Sequence, residues 1–543
     1  MAACEPRNVV SLLSILVLGG LLVAVPTYAE DQLFEHYEID TGIARRQTVI
    51  PGSYLGSETT EIAVIHIDAS DNRLLHMYGF DGTDWAAMLE ATLRPSVLFV
   101  DVANIGGRDR LISYENGRLN RFDPESGTES TLLAVNSSFR PPRKDEIPHV
   151  DITRDVNGDG RDDLVVPDVD GFWVIVQLGD GTFADAVKIG PPTDMSGIYG
   201  ADGYRYDPWG QSRTYEMDYN QDGRSDLVSW SGNHFEVHQQ DASGLFSPKA
   251  LAFTIGVAFD SDKIYSLTTG DMTGKVLYSL ADLNNDGVGD LVVFSLTGRK
   301  ISKKQSSYDV HFGTPTPDGG TAFAPEIGAT FQSKRSIQLG MGRHDFDGDG
   351  QLDLMITTID VEHLKGSLWK NLKGFMGDDI RLNLEFYRMN DGAYADTPNT
   401  TRTVALDGAP SHREPGSVSL DILLRGGTHE KRKTQMIWPK AFNTNLLIGD
   451  VTGDGRSDLL IEYTFRGLNV FAGIPGAGLF SQQSHEVAVV VPNDREYTWL
   501  VDLNKDGKQD ILMHHPFTLR DVHGGPIRPP GTEPHWVTTL ISR

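Results

Sequence analysis

A nine-residue acidic segment occurs six times in this chain, and it limits the possible folds more than any other feature. The first copy, 155–163, reads Asp-Val-Asn-Gly-Asp-Gly-Arg-Asp-Asp and precedes the apolar run 164–166. The other copies are 218–226, 282–290, 345–353, 450–458 and 502–510. Each copy has oxygen-bearing side chains at positions 1, 3, 5 and 9 and glycine at position 6. Alternating oxygen donors around a sharp glycine turn are typical of a Ca²⁺ site.

The predicted Ca²⁺ ligands are the side chains at positions 1, 3, 5 and 9 and the backbone carbonyl at position 7. In chain order they are Asp155, Asn157, Asp159, Arg161, Asp163; Asp218, Asn220, Asp222, Arg224, Asp226; Asp282, Asn284, Asp286, Val288, Asp290; Asp345, Asp347, Asp349, Gln351, Asp353; Asp450, Thr452, Asp454, Arg456, Asp458; Asp502, Asn504, Asp506, Lys508 and Asp510. We therefore expect about six Ca²⁺ ions. Because Asp347 adds a carboxylate, the loop 345–353 is expected to bind most tightly.

The EF-hand, another calcium loop with this spacing, does not fit. It requires a glutamate at position 12 followed by a helix. Position 12 is instead Val166, Ser229, Val293, Ile356, Ile461 and Met513. Short, largely apolar runs follow the loops, which predicts that each loop connects two strands.

Two weaker copies extend the repeat to eight units. The segment 101–109 has the repeat's residues at positions 1, 6 and 9 only. The segment 53–61 keeps only the length of the repeat and the apolar run after it. We therefore expect both segments to lack metal. A Gly-rich turn before an aromatic, as in 179–183, recurs within the units. Each unit then reads as four strands over about 50–60 residues. We predict an all-β propeller of about eight four-stranded blades, closed by pairing of 34–39 with 536–541; seven blades is the alternative.

The loops, the apolar runs after them and the Gly-turn marker resemble the FG-GAP/VCBS repeats of the integrin alpha-subunit propeller and of many secreted microbial proteins. The resemblance covers nearly all of 31–543 and implies a calcium-binding propeller. It implies little about activity, because that family includes adhesion receptors, lectin-like binders and propellers with polysaccharide-cleaving sites. Eight units exceed the seven of the integrin propeller, and the sixth unit is stretched to 105 residues between loops.

Residues 1–29 have the positive, apolar and small-residue order of a signal peptide, with a retained membrane anchor as the alternative. The only cysteine, Cys4, lies in this segment, so the mature chain would have no thiol. We expect an exported protein, whether secreted, periplasmic or on the cell surface, that begins near Glu30. Residues 30–543 would form a single propeller.

Three long insertions, 190–213, 360–379 and 409–442, lie on connections that strand order places opposite the metal loops. Long loops of this kind are usually functional or disordered. Their aromatic and cationic side chains make this face the predicted ligand surface. The candidates are Tyr204, Tyr206, Trp209, Arg413 and Lys431. The alternatives are that the aromatic cluster packs on itself and that 430–433 is a solvated charged run.

The formal charge of −27 argues against nucleic-acid binding. No nucleophile or phosphate-loop motif is present, and the pair His514–His515 is expected to be packed or solvated rather than a transition-metal site. The sequence therefore favours a calcium-stabilised binding or adhesion module for a glycan or protein, with membrane contact only through a retained anchor. The alternative is a polysaccharide lyase or hydrolase with an axial pocket, so catalysis stays open.

Overall fold

The computed structural model describes most of the chain between Leu33 and Arg543. The described residues are 33–42, 47–141, 146–190, 205–212, 214–259, 274–298, 303, 305–333, 336–360, 380–406, 446–464, 467–492, 497–515 and 535–543. They contain 38 strands and the four-residue helix α1, Pro208–Gln211. None of the helices in these ranges is long and apolar enough to cross a membrane.

The first half of the described chain contains one N-terminal strand and the first four blades. Its strands are β1 (Phe34–Gly42); β2 (Thr48–Gly52), β3 (Glu61–Ile67), β4 (Arg73–Phe80) and β5 (Trp85–Leu93); β6 (Phe99–Ile105), β7 (Arg108–Glu115), β8 (Arg118–Asp123) and β9 (Thr128–Ala134); β10 (His149–Val150); β11 (Thr153–Arg154), β12 (Asp163–Asp168), β13 (Gly171–Ile175) and β14 (Val187–Ile189); β15 (Arg205–Tyr206); and β16 (Thr214–Met217), β17 (Asp226–Trp230), β18 (Phe235–His238) and β19 (Leu251–Phe253).

The second half contains blades five to eight. Its strands are β20 (Gly274–Ala281), β21 (Asp290–Thr297), β22 (Gln305–His311), β23 (Gly313–Pro315), β24 (Thr321–Phe323) and β25 (Ala329–Gln332); β26 (Ser336–His344), β27 (Asp353–Asp360), β28 (Ile380–Tyr387), β29 (Met389–Asn390), β30 (Ala393–Tyr394) and β31 (Thr400–Leu406); β32 (Leu446–Gly449), β33 (Asp458–Thr464), β34 (Gly467–Phe471) and β35 (His485–Ala488); and β36 (Thr498–Val501), β37 (Asp510–His515) and β38 (His535–Ser542).

These strands form an eight-bladed β-propeller of mainly four-stranded antiparallel sheets, as predicted. Blade one has the order β2-β3-β4-β5, and blades three, four and seven repeat that order with their own four strands. Blades five and six use β25 and β31 as outer strands, and the pairs β23–β24 and β29–β30 extend their third-to-fourth connections. The seven-blade alternative is wrong.

Blade two departs from the four-stranded pattern. The short strands β10 and β15 add to it in parallel, giving the order β15-β10-β6-β7-β8-β9. His149 pairs with Val100 of β6 and with Arg205 of β15. The first strand of a blade has a free edge toward the propeller axis, and these two segments pair with that edge in blade two.

The ring is closed by the two ends of the described chain. Strand β1 pairs antiparallel with β38, with Phe34 opposite Ser542 and Ile39 opposite Val537. Blade eight therefore has the order β1-β38-β37-β36. The predicted pairing of 34–39 with 536–541 is confirmed, and it covers two edges that an open ring would expose.

The core lies between blades, which explains the continuous apolar runs after the loops. In β12, Leu164 and Val166 pack with residues of blade two, whereas Val165 packs with Val174 and with Leu227 of blade four. Alternate residues of a strand point to opposite faces of its sheet. Because both faces of a blade are covered, both sets of residues are apolar.

Deletion of 534–543 should make the protein aggregate or melt at a lower temperature, because it removes β38 and exposes the edges of β37 and β1. Thermal melting with light scattering measures this. Deletion of Arg543 alone, which leaves the ladder of β38 intact, is the control. A ten-residue truncation that melts like the full chain would count against closure.

Candidate metal centres

All six acidic loops connect the first and second strands of a blade, as predicted. The loop 155–163 follows β11, and β12 begins at its last residue, Asp163. The corresponding strand begins at Asp226, Asp290, Asp353, Asp458 and Asp510 in blades four to eight. The loops therefore occupy one face of the ring.

Each loop is folded around the carboxylate at position 1. In the first loop, Asp155 Oδ1 accepts the Asp159 N–H at 3.0 Å and Asp155 Oδ2 accepts the Gly160 N–H at 2.8 Å. The same two bonds occur in the other five loops at 2.7–3.2 Å. The position-5 carboxylate in turn accepts the N–H of position 7, as Asp159 does from Arg161 at 3.0 Å. One hydrogen-bond pattern thus forms all six loops.

The backbone needs a left-handed conformation at two positions in each loop. Glycine at position 6 has φ between +82° and +92° in all six, as predicted from its role in the turn. Position 4 also has a positive φ, and it is glycine in only three loops. The others hold Gln221, Asn285 and Lys505 there, at φ +52°, +59° and +57°. Sequence reasoning missed this second constraint because the residue type varies.

The loop 345–353 brings three carboxylates together. Oxygens of Asp345, Asp347 and Asp349 lie within 4.8 Å of one another, an arrangement that could hold a metal ion. Carboxylate oxygens are the donors that hard cations such as Ca²⁺ prefer. The guanidinium of Arg388 contacts Asp347 and lies 3.6 Å from an Asp349 oxygen. Metal binding at the other five loops, and the number of ions, stay predictions.

The carboxylate at position 9 is buried and accepts two backbone N–H groups, one from its own loop and one from the end of the third strand or just after it; we call this carboxylate the clamp. Asp163 is fully buried; its Oδ2 accepts the Val156 N–H at 3.1 Å, and its Oδ1 accepts the Gln177 N–H at 2.8 Å. In the other five loops the backbone N–H groups of two residues donate to the same carboxylate. The donors are Tyr219 and Gln240 to Asp226, Leu283 and Gly313 to Asp290, Phe346 and Met389 to Asp353, Val451 and Gly473 to Asp458, and Leu503 and Ser542 to Asp510. Each clamp joins its loop to the end of the third strand. Its additional role as a metal ligand stays a prediction.

Burial makes these clamp carboxylates hard to ionise. Desolvation is the largest cause that raises the pKa of Asp163 and Asp353 to about 7 and that of Asp226, Asp290 and Asp510 to about 6. Neighbouring carboxylates of the same loop raise the pKa further in all five, and the backbone N–H groups oppose the rise. A divalent cation held by those neighbours would favour the ionised clamp.

The two weaker copies differ from each other. The segment 53–61 keeps the loop frame: Tyr54 at position 2 is buried, and Glu61 at position 9 accepts the Leu55 N–H at 3.0 Å. The segment 101–109 is instead a hairpin, since β6 and β7 meet at Gly106–Gly107, both at positive φ. The predicted loop frame is wrong there, because two glycines permit a two-residue turn.

Asp101 consequently lies inside β6 and has no loop role. It is buried, with Oδ1 2.7 Å from His149 Nε2. Its Oδ2 accepts the Ile152 N–H at 2.8 Å and the Thr153 hydroxyl at 2.7 Å. The carboxylate attaches the segment around β10 to blade two.

The structure corrects two of the predicted ligand residues. Tyr206 is 1% exposed and Trp209 is 4% exposed. The Trp209 ring meets Phe172 edge to face at 5.0 Å, and Arg154, which pairs with Asp207 at 2.5 Å, lies over it. The prediction that both side chains form an exposed ligand surface is wrong. The alternative was an aromatic cluster packed on itself, whereas Tyr206 packs with blades two and three and Trp209 packs with Phe172 and Leu227.

The remaining predicted ligand residues lie outside the described residues. These are Tyr204, Arg413 and Lys431, together with 191–204, 361–379 and 407–445, which contain most of the three insertions. The ends of the insertions are described. Residue Asp360 ends β27 and Ile380 begins β28, so that insertion joins the second and third strands of blade six.

The histidine pair is packed, which is one of the two outcomes that the sequence left open. Both His514 and His515 are fully buried in β37. The His515 ring stacks on Trp536 at 4.5 Å with 22° between the ring planes, and the Tyr497 ring meets His514 edge to face at 5.9 Å. These rings belong to the core of blade eight.

Comparison with known proteins supports no more than the fold. No protein-family model and no curated protein matches the chain. A lectin of Agrocybe aegerita, described for recognition of non-reducing terminal N-acetylglucosamine, is similar over 68% of this chain and 86% of its own, at 14% identity and a TM-score of 0.32. The V. cholerae biofilm matrix protein Bap1 is similar over 92% and 88%, at 13% identity and a TM-score of 0.34. Likenesses this distant carry no argument about function.

Asp163→Ala should destabilise the protein in chelator as well as in calcium. It leaves two N–H groups without an acceptor, at about 1–3 kcal/mol each. Asp159→Ala, which removes an exposed position-5 carboxylate, should lower stability mainly in calcium. Chemical denaturation under both conditions separates the two effects, and a calcium-restricted effect of Asp163→Ala would contradict the clamp.

Trp209→Ala should lower the free energy of unfolding by about 3–5 kcal/mol, because it empties a large apolar site beside Phe172. Denaturant unfolding measures the loss. Met88→Ala, at a side chain that is 60% exposed, should change stability little. A Trp209 variant as stable as the parent would return this side chain to the list of surface candidates.

Proposed function

We propose that this chain is an exported, calcium-stabilised β-propeller of the FG-GAP/VCBS type that acts as a binding or adhesion module for a glycan or protein. The observation that carries the proposal is the same loop built six times on one face. Its oxygen donors fit a hard cation, and in 345–353 three carboxylates already converge. Residues 1–29 would direct export.

Calcium has a structural role in this proposal, because neighbouring loops are bonded to one another. The Gln509 N–H donates to Asp450 O at 2.8 Å, and the Thr60 N–H donates to Leu503 O at 2.8 Å. The Ser457 hydroxyl donates to Asp345 O at 3.3 Å. These bonds link blades six, seven, eight and one through position 8 of each following loop. An ion that orders one loop would therefore support the next blade.

In this proposal, the ligand binds on the face of the ring opposite the metal loops. The long insertions lie on second-to-third connections or on connections between blades, whereas the metal loops are first-to-second connections, and this difference supports the opposite face. Long surface connections on a rigid scaffold commonly carry binding residues. With Tyr206 and Trp209 in the core, the proposal depends on insertion residues such as Tyr204, Arg413 and Lys431.

Chelation should lower the melting temperature. Extracellular calcium modules bind at about 10⁻⁴–10⁻³ M, so millimolar calcium stabilises each occupied loop by roughly 0.4–1.4 kcal/mol. Differential scanning calorimetry in calcium and in EGTA measures the sum over the loops. Magnesium at the same concentration is the control, since it prefers a smaller octahedral site. An unchanged melt in EGTA would remove the calcium assignment.

Ligand binding should be lost in the double change Arg413→Ala and Lys431→Ala while the melting curve stays unchanged. A glycan array and a depolymerisation assay on acidic polysaccharides, run on the same protein, identify the ligand class. Bound glycan without cleavage supports the binding module, whereas released oligosaccharides would establish the lyase or hydrolase.

The mass of the protein exported by its host tests whether it begins near Glu30.

A further inference from the structure

Four of the six loops offer the same side-chain donors, Asp, Asn, Asp and Asp at positions 1, 3, 5 and 9. These loops are 155–163, 218–226, 282–290 and 502–510. Position 7 contributes only its backbone carbonyl to the predicted site, so its side chain is free to vary. The side chains there are Arg161, Arg224, Val288 and Lys508. The chain thus contains its own comparison between loops with matched donors and different side chains at position 7. Outside the donors, 155–163 also carries Asp162 and 502–510 also carries Lys505.

The two arginines are held in the same way. The Arg161 guanidinium contacts Asp159 Oδ2 through Nη2, and its Nε donates to the carbonyl of Gln177 at 3.3 Å. In the next blade, Arg224 contacts Asp222 Oδ2 and donates to the carbonyl of Gln240 at 3.3 Å. Each guanidinium is fixed both by the position-5 carboxylate and by the residue that also donates to the clamp.

The other two loops have no arginine at position 7, and Lys505 of 502–510 donates to the carbonyl of Ser57 in the next loop at 2.9 Å. Val288 is 7% exposed and packs as an apolar side chain. The methylene groups of Lys508 lie against Gly453 of blade seven. Within the described ranges, neither Asp286 nor Asp506 has an ion-pair partner. Their Oδ2 atoms accept from the neutral amides of Asn284 and Asn504, at 2.8 and 3.1 Å, a bond that the two arginine loops also have.

A cation at position 7 should have opposite effects on the metal-free and metal-bound loops. Without metal, it offsets repulsion among the carboxylates of its loop. With metal, it must leave the carboxylate or remain a few ångströms from a divalent ion of the same sign. The Arg161 and Asp159 side chains are 41% and 25% exposed, so water and salt reduce both effects.

We infer that Arg161 and Arg224 are tethered counter-ions that divide the four matched loops into two calcium-binding classes. The loops 282–290 and 502–510 bind calcium first and depend on it for order. The loops 155–163 and 218–226 bind it more weakly and hold their shape without it. This inference rests on the proposed calcium role and adds a residue-level determinant of affinity.

The two remaining loops carry counter-ions as well. Arg456 Nη1 lies 2.8 Å from Asp454 Oδ2 at the usual position 7. In 345–353, where position 7 is Gln351, the cation comes from Arg388, directly after β28. Arg388 therefore opposes the high affinity expected from the extra carboxylate of Asp347.

A calcium titration of the full chain, followed by hydrogen exchange of peptides that cover each loop, tests the inference. In the parent protein, 282–290 and 502–510 should gain protection at calcium concentrations roughly threefold to tenfold below those for 155–163 and 218–226. In EGTA, exchange in the first two loops should be faster. A common midpoint for all four loops would overturn the inference.

Two variants make the test specific. Arg161→Gln should lower the midpoint of 155–163 roughly threefold to tenfold and speed its exchange in EGTA, with the other loops unchanged. Lys508→Arg should raise the midpoint of 502–510. Arg121→Gln removes an exposed arginine of β8 outside the loops and controls for net charge. An unmoved midpoint in Arg161→Gln overturns the inference alone, whereas no protection of any loop by calcium overturns the proposed function with it.

Discussion

The buried carboxylate at the start of the second strand is the interaction on which the blades depend. In blades three to eight its two oxygens accept one N–H from the loop and one from the end of the third strand or just after it, as Asp163 does from Val156 and Gln177. A buried carboxylate is costly unless it is hydrogen-bonded, so this pairing strongly favours one arrangement of the hairpin. The loop 53–61 has lost the acidic residues at positions 1, 3 and 5, yet it keeps Glu61 at position 9 and buried Tyr54 at position 2. Its second oxygen accepts the Ser57 hydroxyl within the same loop, so this copy keeps a position-9 acceptor without the acidic side chains at positions 1, 3 and 5.

Loops shaped in this way also fit closely against the next blade. A Cβ on Gly320, in the Gly-rich turn of blade five, would lie 2.5 Å from the Tyr219 hydroxyl of the preceding loop. A Cβ on Gly392 would lie 2.8 Å from the carbonyl of Asn284. These close approaches explain the glycine at two of the turns, where a side chain would separate the blades. Gly82, Gly127, Gly319 and Gly476 have open space around them, and there the positive φ favours glycine. The two markers of the repeat are thus the two sides of one contact between blades.

The sequence was sufficient for the fold because its signals are local and repeated. Loop spacing, apolar runs and strand-like ends predicted eight blades and the pairing of Phe34 with the last strand. It was insufficient where tertiary packing decides. A tryptophan in a long insertion is predicted to be exposed. The structure shows that Trp209 is buried, because its ring packs against Phe172. The loop numbering predicted from Asp101 was wrong because Gly106–Gly107 forms a two-residue turn in place of the longer loop. Strands β10 and β15 were missed because two residues are too few to show an alternating apolar pattern. The bounds of the loops and the glycine turn at position 6 were predicted, whereas the left-handed position 4 was not; the ligand roles of the residues stay predictions.

The two faces of the ring have different freedom to change. On the metal face, position 8 of one loop is bonded to the carbonyls of the previous loop, and glycine turns lie over the loops at contact distance. An inserted residue there would disturb a clamp, a neighbouring loop and a blade interface together. On the other face, Asp360 and Ile380 are the ends of two paired strands, and the chain between them can lengthen without altering that pairing. Loop-closure entropy grows slowly with length, so long segments cost little there. Packing thus separates a face that maintains the ring from a face that can vary.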